Sequence, residues 1–397
     1  MIENTKNKDI DFNKIKTPAY IVDERLLENN LKILNYVMKK SGCRILLAQK
    51  GFSMFALYPL IGKYLCGATA SSLYEAKLGR EYMDKENHIF SPAYIDSEFD
   101  EISDICDHIV FNSLKQWEKF RGRTKKNSCG IRINPEYAEV EHEIYNPCCA
   151  GSRLGTTLSE FEKELRKNSD ILNGIEGLHF HVMCEQNSDT LERVLYHVEQ
   201  KFKKYMKLPQ IKWINFGGGH HITRKDYDIE CLIKCINYIK NEYNVQVYLE
   251  PGEAVALNTG YLVATVLDVK EEAVKDSNGN IFRPAILDAS AACHMPDVLE
   301  MPYRPEIIGA GLPYSRKFTY RFGGNTCLAG DIIGDYSFNT ELKAGDKLVF
   351  CDMAHYSMVK NNTFNGIALP DILSYNNEKG IYIIKTFGYN DFKSRLS

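Results

Sequence analysis

Residues whose side chains or backbone could take part in catalysis or ligand binding follow short apolar runs at several points in the first 250 residues. An amine, two imidazoles, a glycine triplet and a carboxylate each lie at or near the end of such a run: Lys50, His179, His181, Gly217–Gly219 and Glu250. A lysine amine can attack an aldehyde, and bare glycine N–H groups can bind phosphate. A carboxylate can keep a pyridine nitrogen protonated. Together these residue types suit a Schiff base with a phosphorylated aldehyde, pyridoxal phosphate.

The runs themselves indicate the elements that must position this chemistry. Eight β-rich segments alternate with helical patterns, at 43–49, 64–69, 87–92, 108–112, 129–134, 177–182, 212–216 and 245–250. Parallel strands need crossover helices, so eight strand-helix units predict a TIM-like (β/α)₈ barrel within an α/β fold. Functional residues of such barrels lie where the strands end, which is where the polar residues occur here.

The pattern changes after Pro251, where short β-rich runs alternate with Gly, Asn and Asp turns. Such a pattern is typical of a C-terminal antiparallel β domain. The segment AYIVD at 19–23 precedes the first barrel strand, so we expect it to pair into that domain. We therefore predict a barrel over residues 24–255 and a β domain formed by residues 1–23 and 256–397.

Two of the site residues have competing interpretations. Lys50 could be a solvated surface lysine, and a glycine triplet alone fits a tight turn equally well. The loop after the seventh strand is, however, where barrels commonly bind phosphate, which favours a phosphate site at Gly217, Gly218 and Gly219. A lysine facing that site and a strand-end carboxylate is better explained as the cofactor lysine.

The other strand-end residues receive roles around the same cofactor. Glu250 is predicted to lie near the pyridine nitrogen, and the adjacent Gly252 is counted with the cofactor-binding residues. His181 and His179 are two residues apart and should share one face of the strand, where His181 could stack on the ring. For His179 a satisfied core histidine is the favoured interpretation. A metal site at the histidine pair is the lesser alternative, and we predict none.

Composition excludes several other classes of protein. The net charge is −3, charged residues make up 25%, and no basic stripe suggests nucleic-acid binding. No apolar run approaches the ~18 residues of a membrane helix, and the N-terminus lacks a signal-sequence pattern. We expect a cytoplasmic enzyme with a small-molecule substrate and neither a nucleic-acid nor a membrane partner.

Several motifs together resemble one family over nearly the whole chain. They include TPAYIVD (17–23), LLAQKGFS (46–53), GLHFHVMCE (177–185), NFGGGHHIT (215–223), EPGEA (250–254), GGNTCLAGD (323–331) and HYSMVKNNTFNG (355–366). In these the sequence resembles the alanine-racemase-like, fold type III pyridoxal-phosphate decarboxylases. The resemblance implies the same roles for Lys50, His181, the glycine triplet and Glu250 as the strand ends do.

The resemblance also implies roles for residues of the β domain. Cys327 of the GNTC motif would protonate the substrate carbon after CO2 leaves, and Asp331 would contact the distal amine of the substrate. Tyr356 would contact the cofactor phosphate. Because related enzymes take the cysteine and aspartate from a neighbouring subunit, an obligate homodimer with shared active sites is implied.

One departure from the family pattern bears on the substrate. Family members acting on ornithine, arginine or diaminopimelate typically have arginine where this sequence has Glu253. An acidic lining of Glu253 and Glu185 favours a chain of amines at the far end of the substrate. The resemblance is fullest with the polyamine branch, which implies decarboxylation of carboxynorspermidine or carboxyspermidine. Asp288 and Asp297 are further candidate amine contacts.

Three alternatives stay open at the level of sequence. The chain could be a decarboxylase of diaminopimelate, ornithine or arginine. It could instead be an amino-acid racemase with the same cofactor, although the GNTCLAGD motif argues for decarboxylation. A non-catalytic regulator that retains the fold is disfavoured because both the cofactor lysine and the site cysteine are present.

Overall fold

A computed structural model describes residues 10–140 and 143–397. The prediction that the N-terminus carries no signal sequence concerns residues 1–9, which lie outside the described residues. The chain divides into two compact units, one of Glu28–Val255 and the other of Met1–Leu27 with Ala256–Ser397. No helix in the described parts of the chain is both long enough and apolar enough to cross a membrane.

The unit of residues 28–255 contains the predicted closed barrel of eight parallel strands. Counting the N-terminal strand β1 (Ala19–Asp23) first, the barrel strands are β2 (Arg44–Ala48), β3 (Gly67–Ala70), β4 (Glu86–Phe90), β5 (His108–Phe111), β6 (Ser128–Arg132), β7 (Ile175–His179), β8 (Trp213–Asn215) and β9 (Gln246–Leu249). β9 pairs with β2 and so closes the barrel. All eight carboxyl ends therefore meet at one mouth.

Helices follow most of the barrel strands, as crossover connections require. They are α1 (Glu24–Ser41), α2 (Tyr58–Ile61), α3 (Leu73–Tyr82), α4 (Phe99–Ile105), α5 (Leu114–Phe120), α6 (Leu158–Lys167), α7 (Ser188–Met206), α8 (Ile229–Tyr243) and α9 (Glu253–Ala256). Local sequence determines where several of these helices begin. Thr157 and Glu160 form a capping box at α6, and Asp228 accepts the Cys231 N–H at α8.

All eight predicted barrel strands differ from the observed ones at one or both ends, and the largest differences, of three residues, occur at the second and the sixth. The second begins at Gly67 rather than at Tyr64, because residues 61–64 still form turns at the end of α2. The sixth ends at His179, so His181 lies beyond the strand. The argument from alternation along a strand therefore does not apply to His181.

The second unit contains a nine-stranded sheet. Its strands besides β1 are β10 (Gly260–Val269), β11 (Val274–Lys275), β12 (Ile281–Leu287), β13 (Phe318–Gly323), β14 (Ile332–Phe338), β15 (Lys347–Cys351), β16 (Asp371–Asn376) and β17 (Gly380–Lys385). The N-terminal strand β1 pairs antiparallel with β10 and parallel with β16, so it joins this sheet as expected. β12 also pairs parallel with β13. The sheet is thus mixed, although antiparallel pairings predominate.

Four short helices complete this unit, α10 (Ala291–His294), α11 (Asp297–Glu300), α12 (Ser357–Lys360) and α13 (Tyr389–Lys393). Two apolar clusters hold the unit together. One contains Tyr20, Tyr320, Phe322 and Tyr336, and the other contains Ile21, Tyr261 and Leu373. Alternate residues of β1 belong to different clusters, as expected for a buried strand in the middle of a sheet.

The amino-terminal ends of β4 and β5 contribute a polar cluster to the barrel. Glu86 lies 2.9 Å from Nε2 of His88 and accepts a 2.8 Å hydrogen bond from Tyr248. The rings of His88 and His108 stack at 4.0 Å between centroids. Burial and the adjacent His88 lower the pKa of His108 to about 3.

This cluster should make folding stability depend on pH. The pKa of His108 is about 3 in the folded protein against 6.5 as the reference, so the unfolded chain binds the proton first. The stabilisation is complete above pH 6.5 and is lost as the pH falls towards 3. We expect His108→Phe to reduce the slope of unfolding free energy against pH by up to about 1.4 kcal/mol per pH unit below pH 6.

Urea unfolding at several pH values measures this slope. Val110→Ala on the same strand is the control, because it shortens a buried apolar side chain and should lower stability equally at every pH. An identical slope in His108→Phe and wild type would contradict the assignment.

Candidate active site at the barrel mouth

The barrel mouth contains a cavity of ≈ 250 Å³. Residues from the ends of several strands line it: Ala48, Lys50, Thr69, Ala70, Ser71, Phe90, Pro92, Arg132, Arg153, Leu154, His179, His181 and Glu250. Lys50, His181 and Glu250, predicted from three different strand ends, are therefore brought to one cavity. This is the arrangement expected when parallel strands end at the same rim.

Lys50 occupies the turn that follows β2. Its side chain is solvent-accessible because it faces the open cavity, but protein atoms enclose that cavity on most sides. Burial among these atoms, with the charge of Arg132, lowers the pKa of the Lys50 amine, and the carboxylate of Glu250 only partly opposes the shift. A lowered pKa increases the fraction of neutral amine, which is the nucleophilic form.

Glu250 follows β9 and is buried. Its Oε1 accepts a 2.8 Å hydrogen bond from Nδ2 of Asn215, the last residue of β8, and Oε2 lies 3.4 Å from Nε2 of His179. Burial alone would raise the pKa of this carboxyl, but the His179 imidazole and the Asn215 amide lower it to about 2. Glu250 is therefore a buried carboxylate that is charged at neutral pH.

His179 differs from the satisfied core histidine that the sequence favoured, and that expectation was wrong. It lines the cavity, and neither ring nitrogen makes a hydrogen bond to any described residue. Burial lowers its pKa although Glu250 opposes the shift. The nearest charged group to the His179 ring is thus the Glu250 carboxylate, 3.4 Å from Nε2.

His181 lies where the chain turns away from β7. Its Nδ1 accepts a 3.2 Å hydrogen bond from the backbone N–H of Gly218. Burial and the nearby cations Lys50 and Arg132 hold the pKa of His181 well below its ordinary range. A neutral ring whose Nδ1 is an acceptor carries its proton on Nε2, so both tautomer and orientation are determined.

Close packing against neighbouring backbone accounts for the glycine residues of the triplet. A Cβ on Gly219 would lie 2.0 Å from the carbonyl oxygen of Met183, and one on Gly218 would lie 2.6 Å from that of Glu250. The N–H groups of Gly217 and Gly218 already donate to Asn215 and His181. A cradle of three bare N–H groups is therefore not present. The triplet lets the loop pass close to both neighbouring strands.

Sequence reasoning gave no role to two residues of the site: Arg132, which lines the cavity, and Asn215, which contacts Glu250. Arg132 ends β6, donates a 3.1 Å hydrogen bond to the His181 carbonyl, and lies 4.6 Å from the ring centroid of Phe90. Burial lowers the pKa of Arg132 to about 10, so it is charged at neutral pH. Asn215 orients Glu250, as described above. Both are polar residues at the end of an apolar strand, the signal that identified Glu250.

The residues at the mouth fit pyridoxal phosphate. A nucleophilic amine and a charged carboxylate face one cavity that also contains the cations Arg132 and Arg153, which attract phosphate and carboxylate groups. The unsatisfied nitrogens of His179 provide further polar contacts. Gly252 packs close to the Lys50 turn, since a Cβ on Gly51 would lie 2.9 Å from its Cα.

A second group of polar residues lies in the same unit. Glu185, His221 and Glu253 bring one potential ligand atom each to within 4.8 Å of the others. His221 is buried and its Nε2 lies 3.2 Å from Oε1 of Glu253. The structure thus brings together the two acids predicted to contact amines, and it adds a histidine that the sequence did not single out.

The candidate residues of the β unit have different surroundings. Cys327 is exposed, whereas Asp331 is 3% exposed and accepts hydrogen bonds from three donors. Tyr356 precedes α12 with a positive φ of 49°.

Two further acids proposed as amine contacts have protein partners. Asp288 accepts a 2.6 Å hydrogen bond from the Thr17 hydroxyl and a 2.7 Å bond from the Thr265 N–H. Burial raises the pKa of Asp288. Asp297 pairs with the amine of Lys360, which also contacts Glu300.

Comparison with known proteins is consistent with this geometry. A family model described as "Pyridoxal-dependent decarboxylase, C-terminal sheet domain" matches residues 19–354. The carboxynorspermidine/carboxyspermidine decarboxylase of Campylobacter jejuni is 47% identical over 97% of this chain and 99% of its own length. The carboxyaminopropylagmatine decarboxylase of Synechocystis sp. is 40% identical over 97% of this chain and 96% of its own length.

A solved structure shows the same fold. The crystal structure of carboxynorspermidine decarboxylase complexed with norspermidine, from Campylobacter jejuni, has a TM-score of 0.86 at 45% identity, covering 96% of this chain and 100% of that chain. The family match spans most of the chain, and the barrel mouth contains the lysine and carboxylate that the cofactor needs. The chain belongs to the pyridoxal-dependent decarboxylases.

Proposed function

We propose that this protein decarboxylates a carboxylated polyamine, carboxynorspermidine or carboxyspermidine, to give norspermidine or spermidine. The observation that carries the proposal is the single cavity lined by both Lys50 and the charged Glu250. The substrate class is supported by the near full-length similarity to enzymes named for carboxylated polyamines. The racemase and regulator alternatives have no comparable support.

Residues at the barrel mouth would hold the cofactor. Lys50 would supply the amine that holds its aldehyde, His181 would lie against the ring, and Glu250 would stabilise the protonated ring nitrogen. The family resemblance implies a phosphate contact by the Gly217–Gly219 loop, in which the Gly217 and Gly218 N–H groups already donate to Asn215 and His181. The resemblance implies a separate phosphate contact by Tyr356. When bound, pyridoxal phosphate supplies an electron-accepting ring that stabilises the electron pair left by the departing carboxylate.

Residues of the chain account for the remaining bond changes. The bond between the α-carbon and its carboxylate breaks, CO2 leaves, and the electron pair stays on the carbon. The Cys327 thiol then transfers its proton to that carbon, and the thiolate recovers a proton from water. The guanidinium of Arg132 keeps the cavity cationic, which favours binding of the carboxylate before it is lost.

The exposed position of Cys327 supports a homodimer with shared sites. Its thiol is exposed on a turn of the β unit, and nearby Leu328 is also 45% exposed. An exposed catalytic thiol and an exposed leucine are explained if the turn enters the active site of a partner subunit. The enzyme would act in the cytoplasm, without a membrane or nucleic-acid partner.

The acidic residues of the barrel favour a polycationic substrate. Glu185 and Glu253 lie together at His221. By the family resemblance, Glu253 occupies a position that is typically arginine in members acting on diaminopimelate. The field of Glu185 and Glu253 attracts the amines of a polyamine and repels a distal carboxylate. Direct amine contacts by these residues, and by Asp288 and Asp297, stay predictions.

The first prediction from the proposed function concerns substrate choice. Purified enzyme loaded with pyridoxal phosphate should release CO2 from carboxynorspermidine and carboxyspermidine. Their kcat/KM values should differ by no more than about 200-fold, because one methylene is worth only about 1–3 kcal/mol in a pocket. Carboxyaminopropylagmatine, meso-diaminopimelate, ornithine and arginine are assayed in parallel. Release from diaminopimelate alone would refute the polyamine assignment.

The second prediction concerns Glu250. Glu250→Gln removes the charge but keeps a group of similar shape, so the ring nitrogen is no longer held protonated. We expect kcat to fall by about 10²- to 10³-fold, the scale for losing one electrostatic contact in a buried site. Cofactor absorbance should persist, because Lys50 is retained. Unchanged kcat would contradict the role of Glu250.

The third prediction concerns shared sites. Lys50→Ala and Cys327→Ala proteins should each be inactive, but mixing them should restore activity. Random exchange of subunits in a symmetric dimer leaves about one site in four with both residues intact. Absence of any recovery, with subunit exchange verified by mass spectrometry of differently labelled chains, would contradict shared sites.

A further inference from the structure

The turn that carries Cys327 has a buried acid at its base. The segment Gly324–Asp331 follows β13, and the thiol of Cys327 is exposed on it. Asp331, at its end, is only 3% exposed. A buried carboxylate needs donors, and the identity of those donors indicates what it does.

All three donors to the Asp331 carboxylate come from its own unit. Oδ2 accepts a 2.8 Å hydrogen bond from the Ser290 hydroxyl and a 2.6 Å bond from the Thr326 hydroxyl. Oδ1 accepts a 3.1 Å bond from the Ala292 N–H. The carboxylate therefore connects the start of α10 to Thr326, the residue immediately before Cys327.

The same turn is held at further points. The Thr326 hydroxyl oxygen accepts the N–H of Leu328 at 3.3 Å, so it bridges Asp331 and the backbone just after Cys327. The N–H of Cys327 itself donates to Oδ1 of Asn365 at 2.8 Å. The backbone on both sides of the thiol is thus restrained, although the thiol is exposed.

Gly324 shows how closely the carboxylate approaches the turn. A Cβ at this position would lie 2.1 Å from Oδ2 of Asp331. The Gly324 N–H also donates to the Asp331 carbonyl at 3.0 Å, closing the base of the turn. Any other residue at 324 would displace the carboxylate.

We propose that Asp331 is a positioning residue that fixes the orientation of the Cys327 thiol through Thr326. This role replaces the direct contact with the distal amine that the family resemblance implied for Asp331. It rests on the proposed function, in which Cys327 delivers the proton to the substrate carbon. A carboxylate that already accepts three hydrogen bonds is better suited to hold a loop than to bind an ammonium group.

Positioning of the donor has a stereochemical consequence. A thiol fixed on one side of the substrate carbon delivers its proton to one face only. In deuterium oxide the product should carry one deuterium at that carbon, in a single configuration. A loosened turn lets deuterium arrive from either face, and proton transfer also becomes slower.

Thr326→Val and Thr326→Ser form a matched pair for the test. Valine keeps the shape but removes the hydroxyl, whereas serine keeps the hydroxyl. With the holoenzyme and its best substrate from the CO2 assay, we expect Thr326→Val to lower kcat about tenfold or more, the scale of a misplaced reacting group. The KM should be unchanged, and deuterated product should form in both configurations. Thr326→Ser should behave like wild type.

Two results would overturn the proposal. One is a Thr326→Val enzyme that keeps wild-type kcat and a single configuration of deuterated product. The other is an Asp331→Asn enzyme with a raised KM and wild-type kcat, since that pattern indicates a lost substrate contact. Thermal unfolding of each variant shows whether a loss of activity reflects a loss of fold.

A separate readout distinguishes failure of this proposal from failure of the proposed function. If wild type releases no CO2 from any carboxylated polyamine, the function is wrong, and hydrogen exchange then decides the role of Asp331. Peptides covering 324–331 should exchange faster in Thr326→Val than in wild type or Thr326→Ser. Equal exchange in all three proteins would refute the hydrogen-bonded support of the turn.

Discussion

Closure of the barrel between its first and last strands is the constraint on which the site depends. β2 and β9 pair in parallel, with Arg44 opposite Tyr248 and Ile45 opposite Leu249. Because the strands are adjacent and run in the same direction, the residues that follow them emerge side by side at the mouth. Lys50 and Glu250, 200 positions apart in sequence, thereby face one cavity.

The surroundings at the mouth shift the pKa values of its titratable groups, and these shifts determine which groups are charged at neutral pH. Burial suppresses protonation of both His179 and His181, whereas Glu250 stays ionised because Asn215 and His179 stabilise its charged form. Burial also lowers the pKa of Lys50. The same fold thus keeps imidazoles neutral, one carboxylate charged and one amine nucleophilic, which is the combination that pyridoxal chemistry needs.

The fold and half of the site could be predicted from the sequence because both depend on strand periodicity. Apolar runs marked the eight barrel strands, and polar residues after them marked Lys50 and Glu250. The partners of a side chain could not be predicted in this way. His179 lacks the hydrogen bonds expected of a core histidine, and the triplet glycines mainly permit close packing. Which donors reach a given atom depends on residues distant in sequence, such as Asn215.

Asp288 and Asp297 of the β unit show why residue type alone does not identify an amine-binding site. Asp288 accepts hydrogen bonds from Thr17 and Thr265, and Asp297 pairs with Lys360. A substrate ammonium would have to displace these partners, and the free energy of the lost contacts would offset much of the new one. A long polycation is instead attracted by the summed field of several acids, which acts without displacing any partner. Discrimination against a dicarboxylic substrate can therefore arise from the summed negative charge along the approach to the cavity. The direct contacts near the reacting carbon then serve to align the substrate.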